Sequence, residues 1–231
     1  MGVDSKWNKI VILAAFRVEV EELAERLEDK SALGQAGFLR YVTGRIEDLS
    51  ILIGTAGMGK VRASAAAQKA IDLLEPDALL CCGTAGSLKE DVRPLDLVVA
   101  ERLLQHDTGP DTPPWIDADP ALTDRLERAA HDVLRVTPSS MHRGGLITGD
   151  RPVLDRKMRQ ELSRRFDALA VDMEAAAAVE VARGNDVPAC VIKAITDSAD
   201  EDGRSDFKKN VKEGAGLAQR AAHAFLTQAA R

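Results

Sequence analysis

Aromatic side chains are scarce in this sequence. Five Phe, two Trp and one Tyr are all that 231 residues hold, which argues against the stacking platforms that bind single-stranded nucleic acid. An excess of positive charge is missing as well. The 31 Lys and Arg face 37 Asp and Glu, for a formal net charge of −6, and a chain without clustered cations is a poor general binder of phosphate backbones. No apolar run approaches the roughly 20 residues that cross a bilayer, and the run at 11–15 falls short of a signal-peptide core. Cysteine is limited to Cys81, Cys82 and Cys190. Their number is odd, none has zinc-finger or thioredoxin spacing, and all lie in apolar runs. They read as reduced core residues of a cytoplasmic protein. Neither nucleic acid nor a membrane is expected as a partner.

What is present is globular: 45% apolar and 29% charged residues, in a chain long enough to bury a full core without disulfides or a structural metal. No repeat, low-complexity tract or linker divides it, so one domain over 1–231 is expected, with 1–8 as a flexible N-terminus. Apolar runs of strand length alternate with helix-period segments, the mark of an α/β sheet. The expected strands are 9–15, 38–44, 49–54, 78–83, 95–101, 144–148, 168–171 and 189–195. Most are continuously apolar, as strands covered on both faces of a largely parallel sheet are. Asp119 followed by Pro120 reads as a helix N-cap and first helical residue. Leu122, Leu126, Ala130 and Val133 then share one helix face, and Val211, Ala215, Ala218, Ala222 and Phe225 share another. The segment 175–182 is apolar nearly all round and reads as a buried helix. The stretch 107–114 reads as a surface loop. Trp115 at its end is either an interface or lid residue or a Trp packed on the nearest helix.

Three features carry potential chemistry. Residues 54–61 read GTAGMGKV and match most of a phosphate-binding loop, but Val61 stands where a hydroxyl should ligate magnesium. The plain reading is a Gly-rich turn joining a strand closely to a helix. A second Gly-rich turn, Gly83-Thr84-Ala85-Gly86, follows an apolar strand, where open α/β sheets take ligands. Alone it reads equally as a tight turn. Third, Glu19, Glu174 and Asp197 each stand at a strand or helix end. Glu174 opens an otherwise apolar helix, a costly place for a carboxylate unless something bonds to it; the alternative is attraction to the helix N-terminus. Asp197 reads equally as a turn acid. Glu19 shares the first helix with Glu21, Glu22 and Glu25, most of which must be solvated.

In these places the chain resembles the nucleoside phosphorylase superfamily, and within it the nucleosidase branch. The carrying segments are AAFRVEVEEL (14–23), GTAGMGKVRASAAAQ (54–68), CCGTAGSLKEDVRPLDLVVAE (81–101), GGLITGD (144–150) and VDMEAAAAVEVARGNDVPACVIKAITDSAD (171–200). The last is the most specific: Met-Glu opening an Ala-rich helix, then a strand ending in an acid.

The resemblance implies a single domain with a mixed, twisted central β-sheet surrounded by helices. It also implies cleavage of the N-glycosidic bond of a purine nucleoside, adenine modified at the 5′ position, without metal or organic cofactor, by a cytoplasmic homodimer. By position, Asp197 is the general acid toward the purine and Thr196 orients it. Glu174 binds the ribose hydroxyls, Met173 packs on the sugar, and Glu19 positions and deprotonates water. Thr84, Ala85 and Gly86 line the sugar side. Where the family sandwiches the base with an aromatic and a branched residue, Arg151, Pro152 and Val153 follow Asp150; Val153 is the expected base contact there, and Phe207 is either a second one or a core position on the last helix. Phosphorylases of the superfamily carry Arg where Glu19 stands and another near Cys81, so water is the expected acceptor. Phosphorolysis to ribose 1-phosphate, with Arg17 or Arg143 holding the anion, is the alternative, as is a silent nucleoside-binding protein.

Overall fold

A computed structural model describes residues 7–109 and 114–229 of the chain; residues 1–6 of the expected flexible N-terminus and 110–113 of the 107–114 loop lie outside the described residues. The order of elements is β1 (Lys9–Ala14), a turn of 3-10 helix (Arg17–Glu19), α1 (Glu21–Glu25), β2 (Gly34–Ala36), β3 (Leu39–Ile46), β4 (Leu49–Thr55), α2 (Lys60–Leu74), β5 (Ala78–Ser87), β6 (Leu97–Gln105), β7 (Ile116–Asp117), α3 (Pro120–Leu134), β8 (Met141–Thr148), α4 (Arg156–Phe166), β9 (Ala170–Asp172), α5 (Ala175–Gly184), β10 (Ala189–Asp197) and α6 (Gly203–Ala229).

The sheet is mixed. Strand β5 lies at its centre, parallel to β1 on one side and β10 on the other. Beyond β1 come β4, parallel, then β3 and β2, antiparallel. On the other side β10 pairs antiparallel with β6, β6 and β8 pair parallel, and so do β8 and β9. Strand β9 returns to pair with the last residues of β5, so five strands close into a ring. Helices α3 and α6 share one buried cluster with alternate residues of β1, β5 and β10. Helices α2 and α5 share a second with the intervening residues. Both faces of the central strands are therefore covered, which is why their sequences are continuously apolar.

All eight expected strands form, with shifted bounds. Two short strands, β2 and β7, are additions. Helix α3 starts as its cap dictates: Asp119 accepts a hydrogen bond from the Leu122 N–H at 2.9 Å. Helix α4 escapes the apolar pattern because only Leu162 in it is buried. Helix α6 begins at Gly203, before its apolar periodicity starts. Trp115 packs against a buried cluster that includes Leu162 of α4. It lies half-buried under the Arg102 guanidinium, 4.6 Å from its ring centre, and covers Gly145 of β8, where a Cβ would approach within 2.9 Å. The three cysteines are buried and unbridged, and burial pushes the Cys81 and Cys82 thiols up to about 12.

Candidate active site

The chain leaves β1 into the 3-10 turn, and that turn folds Glu19 back over the strand end. Its Oε2 accepts the Ala15 and Phe16 N–H groups at 3.0 and 2.9 Å. Its Oε1 accepts the Thr84 N–H at 2.9 Å and the Thr84 hydroxyl at 2.7 Å. Glu19 is 2% exposed, so it does not belong with the solvated acids of the first helix. Helix α1 starts after it, and Glu21, Glu22 and Glu25 stay partly or fully exposed.

Residues 83–86 are not a turn. They are the last part of β5, and neither glycine there has positive φ. The glycines serve close approach instead. A Cβ on Gly83 would stand 2.9 Å from Glu19 Oε1 and 3.2 Å from Lys193 Nζ. One on Gly86 would stand 2.9 Å from Asp197 Oδ1.

Glu174 occupies the N-cap position of α5 yet caps nothing. The first helical N–H groups go elsewhere: Ala175 donates to Asp172 Oδ2 at 3.0 Å and Ala176 to Thr148 Oγ1 at 3.0 Å. The Thr148 hydroxyl in turn donates to Asp172 Oδ1 at 2.6 Å. That frees the Glu174 side chain to turn away from its helix, which corrects the helix-terminus reading. Its Oε1 accepts the Gly59 N–H at 2.8 Å. Burial, reinforced by the nearby Asp172 charge, pushes its carboxyl up from the usual range. Gly59 has φ of 101°, a conformation that favours glycine. The 54–61 loop thus orients a carboxylate rather than a phosphate. Lys60 is occupied by Asp107 at 2.5 Å and Asp150 at 3.3 Å.

Asp197 ends β10. Its Oδ2 accepts the Thr196 hydroxyl at 2.7 Å and its Oδ1 the Ala199 N–H at 2.9 Å. Burial pushes its carboxyl up, against the pull of these two hydrogen bonds. Four residues earlier on the same strand lies a residue that sequence reasoning missed. Lys193 is 3% exposed, and its Nζ is 2.9 Å from Asp172 Oδ2. Burial alone would depress its ammonium, but Asp172, Glu19 and Glu174 together hold it above its ordinary value. The available signal was a lone lysine inside an apolar strand.

One cavity of about 540 Å³ gathers these groups, a size usual for small-molecule sites. All ten residues singled out from the sequence line it: Glu19, Thr84, Ala85, Gly86, Val153, Met173, Glu174, Thr196, Asp197 and Phe207. Arg17 and Arg143 do not. Arg17 is exposed and pairs with Glu21 at 3.4 Å. Arg143 is held by Glu101, Asp124 and Glu127 at 3.3, 2.7 and 2.7 Å. Neither stands where the alternative anion site needed it. Among the described residues no group of three or more His, Cys, Asp or Glu side chains could hold a metal ion. The arrangement offers two carboxyls, Asp197 and Glu174, that burial shifts toward the protonated form, and a third, Glu19, held by four hydrogen bonds.

A family model described as the phosphorylase superfamily matches residues 9–231. A 5′-methylthioadenosine/S-adenosylhomocysteine nucleosidase of Tolumonas auensis is 30% identical over 210 residues, covering 87% of this chain and 91% of that protein. One from an Exiguobacterium species is 29% identical over 212 residues, covering 86% and 89%. In structure, the chain is similar to such a nucleosidase from Neisseria meningitidis in complex with methylthio-immucillin-A. The TM-score is 0.89 at 24% identity, over 96% of this chain and 99% of that one.

Proposed function

Since the chain belongs to the phosphorylase superfamily, we propose that it hydrolyses the N-glycosidic bond of an adenine nucleoside substituted at the 5′ position, releasing the free base. The observation that carries this reading is the meeting of Glu19, Glu174 and Asp197 in one cavity, with the Asp197 carboxyl pushed toward its protonated form.

Breaking the bond leaves positive charge on the sugar and negative charge on the departing purine, as in sugar hydrolysis generally. Asp197 gives its proton to N7 as the C1′–N9 electron pair leaves with the base. Thr196 holds Asp197 in place. Glu174 accepts hydrogen bonds from the ribose hydroxyls and faces the growing positive charge, and the Met173 thioether packs on the ring. Val153 and Phe207 flank the base. Water adds its oxygen to C1′ and passes a proton to Glu19. All the oxygen lone-pair directions of Glu19 are already engaged by four donors, so one must give way. The Thr84 hydroxyl is the donor that can, because its hydrogen rotates. Exchange with solvent then restores both carboxyls.

Phosphate fits this floor poorly, since its dianion would face Glu19 and Glu174 while Lys193 is committed to Asp172. The proposal includes a homodimer. Phe16 and Met58 line the cavity yet are 37% and 54% exposed, and a second copy would cover them. It also includes the cytoplasm, where buried free thiols such as these persist. The test is a panel of adenine and hypoxanthine nucleosides incubated with and without phosphate, with products separated by chromatography. Free adenine from 5′-substituted adenosines in phosphate-free buffer is expected; ribose 1-phosphate, formed only with phosphate, would refute hydrolysis.

A further inference from the structure

Lys60 takes no part in bond breaking and does not line the cavity, yet it is placed to act on it. It is the first residue of α2. A cation is unfavourable at a helix N-terminus, where the unsatisfied N–H groups already carry positive charge, and no acid in that first turn offsets it. The matching charge comes from two other segments. The Lys60 ammonium lies 2.5 Å from Asp107 Oδ1 and 3.3 Å from Asp150 Oδ2. The Asp150 N–H donates to Asp107 Oδ2 at 2.7 Å, which closes the group. The lysine side chain is 13% exposed, so these are sheltered contacts. The start of α2, the turn after β6 and the loop after β8 are thereby tied together, and the last of these runs on to Val153 of the cavity wall.

The loop that ends at Lys60 is built to bend. The Ala56 and Gly57 N–H groups are fixed to the Ala14 and Ala15 carbonyls at 2.9 and 3.0 Å. Gly57 and Gly59 then have φ of 81° and 101°, a region that glycine enters at little cost. Past Gly57 the loop is held by the Gly59 N–H on Glu174 Oε1 and by Lys60. Glu174 Oε2 accepts the Met173 N–H at a longer 3.3 Å, so Gly59 supplies the tighter of the two restraints on that carboxyl. Gly59 and Lys60 are adjacent, and a shift of the lysine carries the Gly59 N–H with it. This inference rests on the reading of Glu174 as the carboxyl that takes the ribose hydroxyls. We propose that Lys60 is a positioning residue: clamped between Asp107 and Asp150, it keeps the Gly59 N–H on Glu174 and so holds that carboxyl in the orientation that accepts both ribose hydroxyls. A Glu174 released from Gly59 turns about its own side-chain bonds and meets the two hydroxyls in the productive geometry less often.

The test measures kcat/KM on 5′-methylthioadenosine and on its 2′,3′-dideoxy analogue, and follows their ratio in Lys60→Met. The Asp107 and Asp150 side chains are 29% and 58% exposed, so water can solvate them and the chain should still fold. Loosening one hydrogen bond to a carboxyl should lower the ratio about three- to five-fold, a part of what its full loss costs. Disorder spreading to Met58 or Val153 would slow both substrates alike and leave the ratio unmoved. In a Glu174→Gln background, Lys60→Met should leave the ratio where Glu174→Gln alone puts it. Asp107→Asn removes the charge of the nearer partner, should move the ratio the same way, and serves if Lys60→Met folds poorly. An unchanged ratio in folded Lys60→Met, or in Asp107→Asn where that variant stands in for it, overturns the inference. So does a further fall of equal size in the Glu174→Gln background. Adenine released from 5′-methylthioadenosine by the unaltered protein then leaves the hydrolase reading standing, and its absence removes both.

Discussion

Replacing Lys193 with Met should cost this protein a large share of its stability. The substitution nearly preserves shape but removes the cation that lies 2.9 Å from Asp172 Oδ2. Both partners are almost fully buried, so water screens the contact little and cannot replace it. Removing one member of such a pair typically costs about 3–5 kcal/mol, because the other charge is left uncompensated. Asp172 would keep the Thr148 hydroxyl and the Ala175 N–H, which places the expected loss near the lower figure, about 3 kcal/mol. In a domain of this size that corresponds to a melting temperature lower by roughly 6–12 °C. Urea denaturation should show a lower midpoint with an unchanged slope.

The sign with pH follows from the ammonium being held above its ordinary value in the folded chain. Its contribution is complete below the unfolded lysine pKa, about 10.4, and is lost only as pH rises through the folded value. The gap between protein and variant should therefore be flat from about pH 7 to 9 as far as Lys193 is concerned. Adding Asp172→Asn to Lys193→Met should recover about 1–2 kcal/mol relative to additivity. A loss below about 1 kcal/mol, or strict additivity, would refute the reasoning that Lys193 and Asp172 act as a pair.

Asp197→Asn should lower kcat at least about 10²-fold while leaving the melting temperature nearly unchanged, since an amide can still accept one of the two hydrogen bonds and carries no charge to bury; unchanged turnover would remove Asp197 from the acid role. Glu174→Gln should lower kcat/KM on ribonucleosides about ten-fold more than on 2′,3′-dideoxy analogues, the scale of a lost hydrogen bond to a charged group. Equal losses in steady-state assays would mean that Glu174 does not touch the ribose. Gly83→Ala should impair turnover more than about ten-fold, since its Cβ would press on the Glu19 carboxyl; circular dichroism should still report a folded chain.

Much of the architecture is legible in the sequence, for an identifiable reason. Strands buried on both faces leave continuous apolar runs, and β1, β4, β5 and β10 could be read directly. The Asp119–Pro120 start of α3 follows from capping chemistry. Helix α4 and the first turns of α6 could not be read, because helices lying on the surface carry little apolar periodicity. At the site, the resemblance to the superfamily named residues that the bare pattern left ambiguous. Glu19 looks like its solvated neighbours until the 3-10 turn separates it from them. Glu174 looks like a helix-terminus acid until Asp172 and Thr148 are seen capping that helix in its place. Gly59 and Lys193 act through contacts between distant segments, which local spacing does not encode. The glycines at 83 and 86 read as a turn, but they lie in a strand, where they make room for the Glu19 and Asp197 side chains.

The most direct test of the account is a crystal structure with a C-nucleoside analogue of 5′-methylthioadenosine, whose carbon–carbon link to the base cannot be hydrolysed. The account predicts N7 at about 2.8 Å from the Asp197 carboxyl, both ribose hydroxyls on Glu174, and an ordered water between Glu19 and C1′. A ligand bound with its sugar away from these three side chains would contradict it.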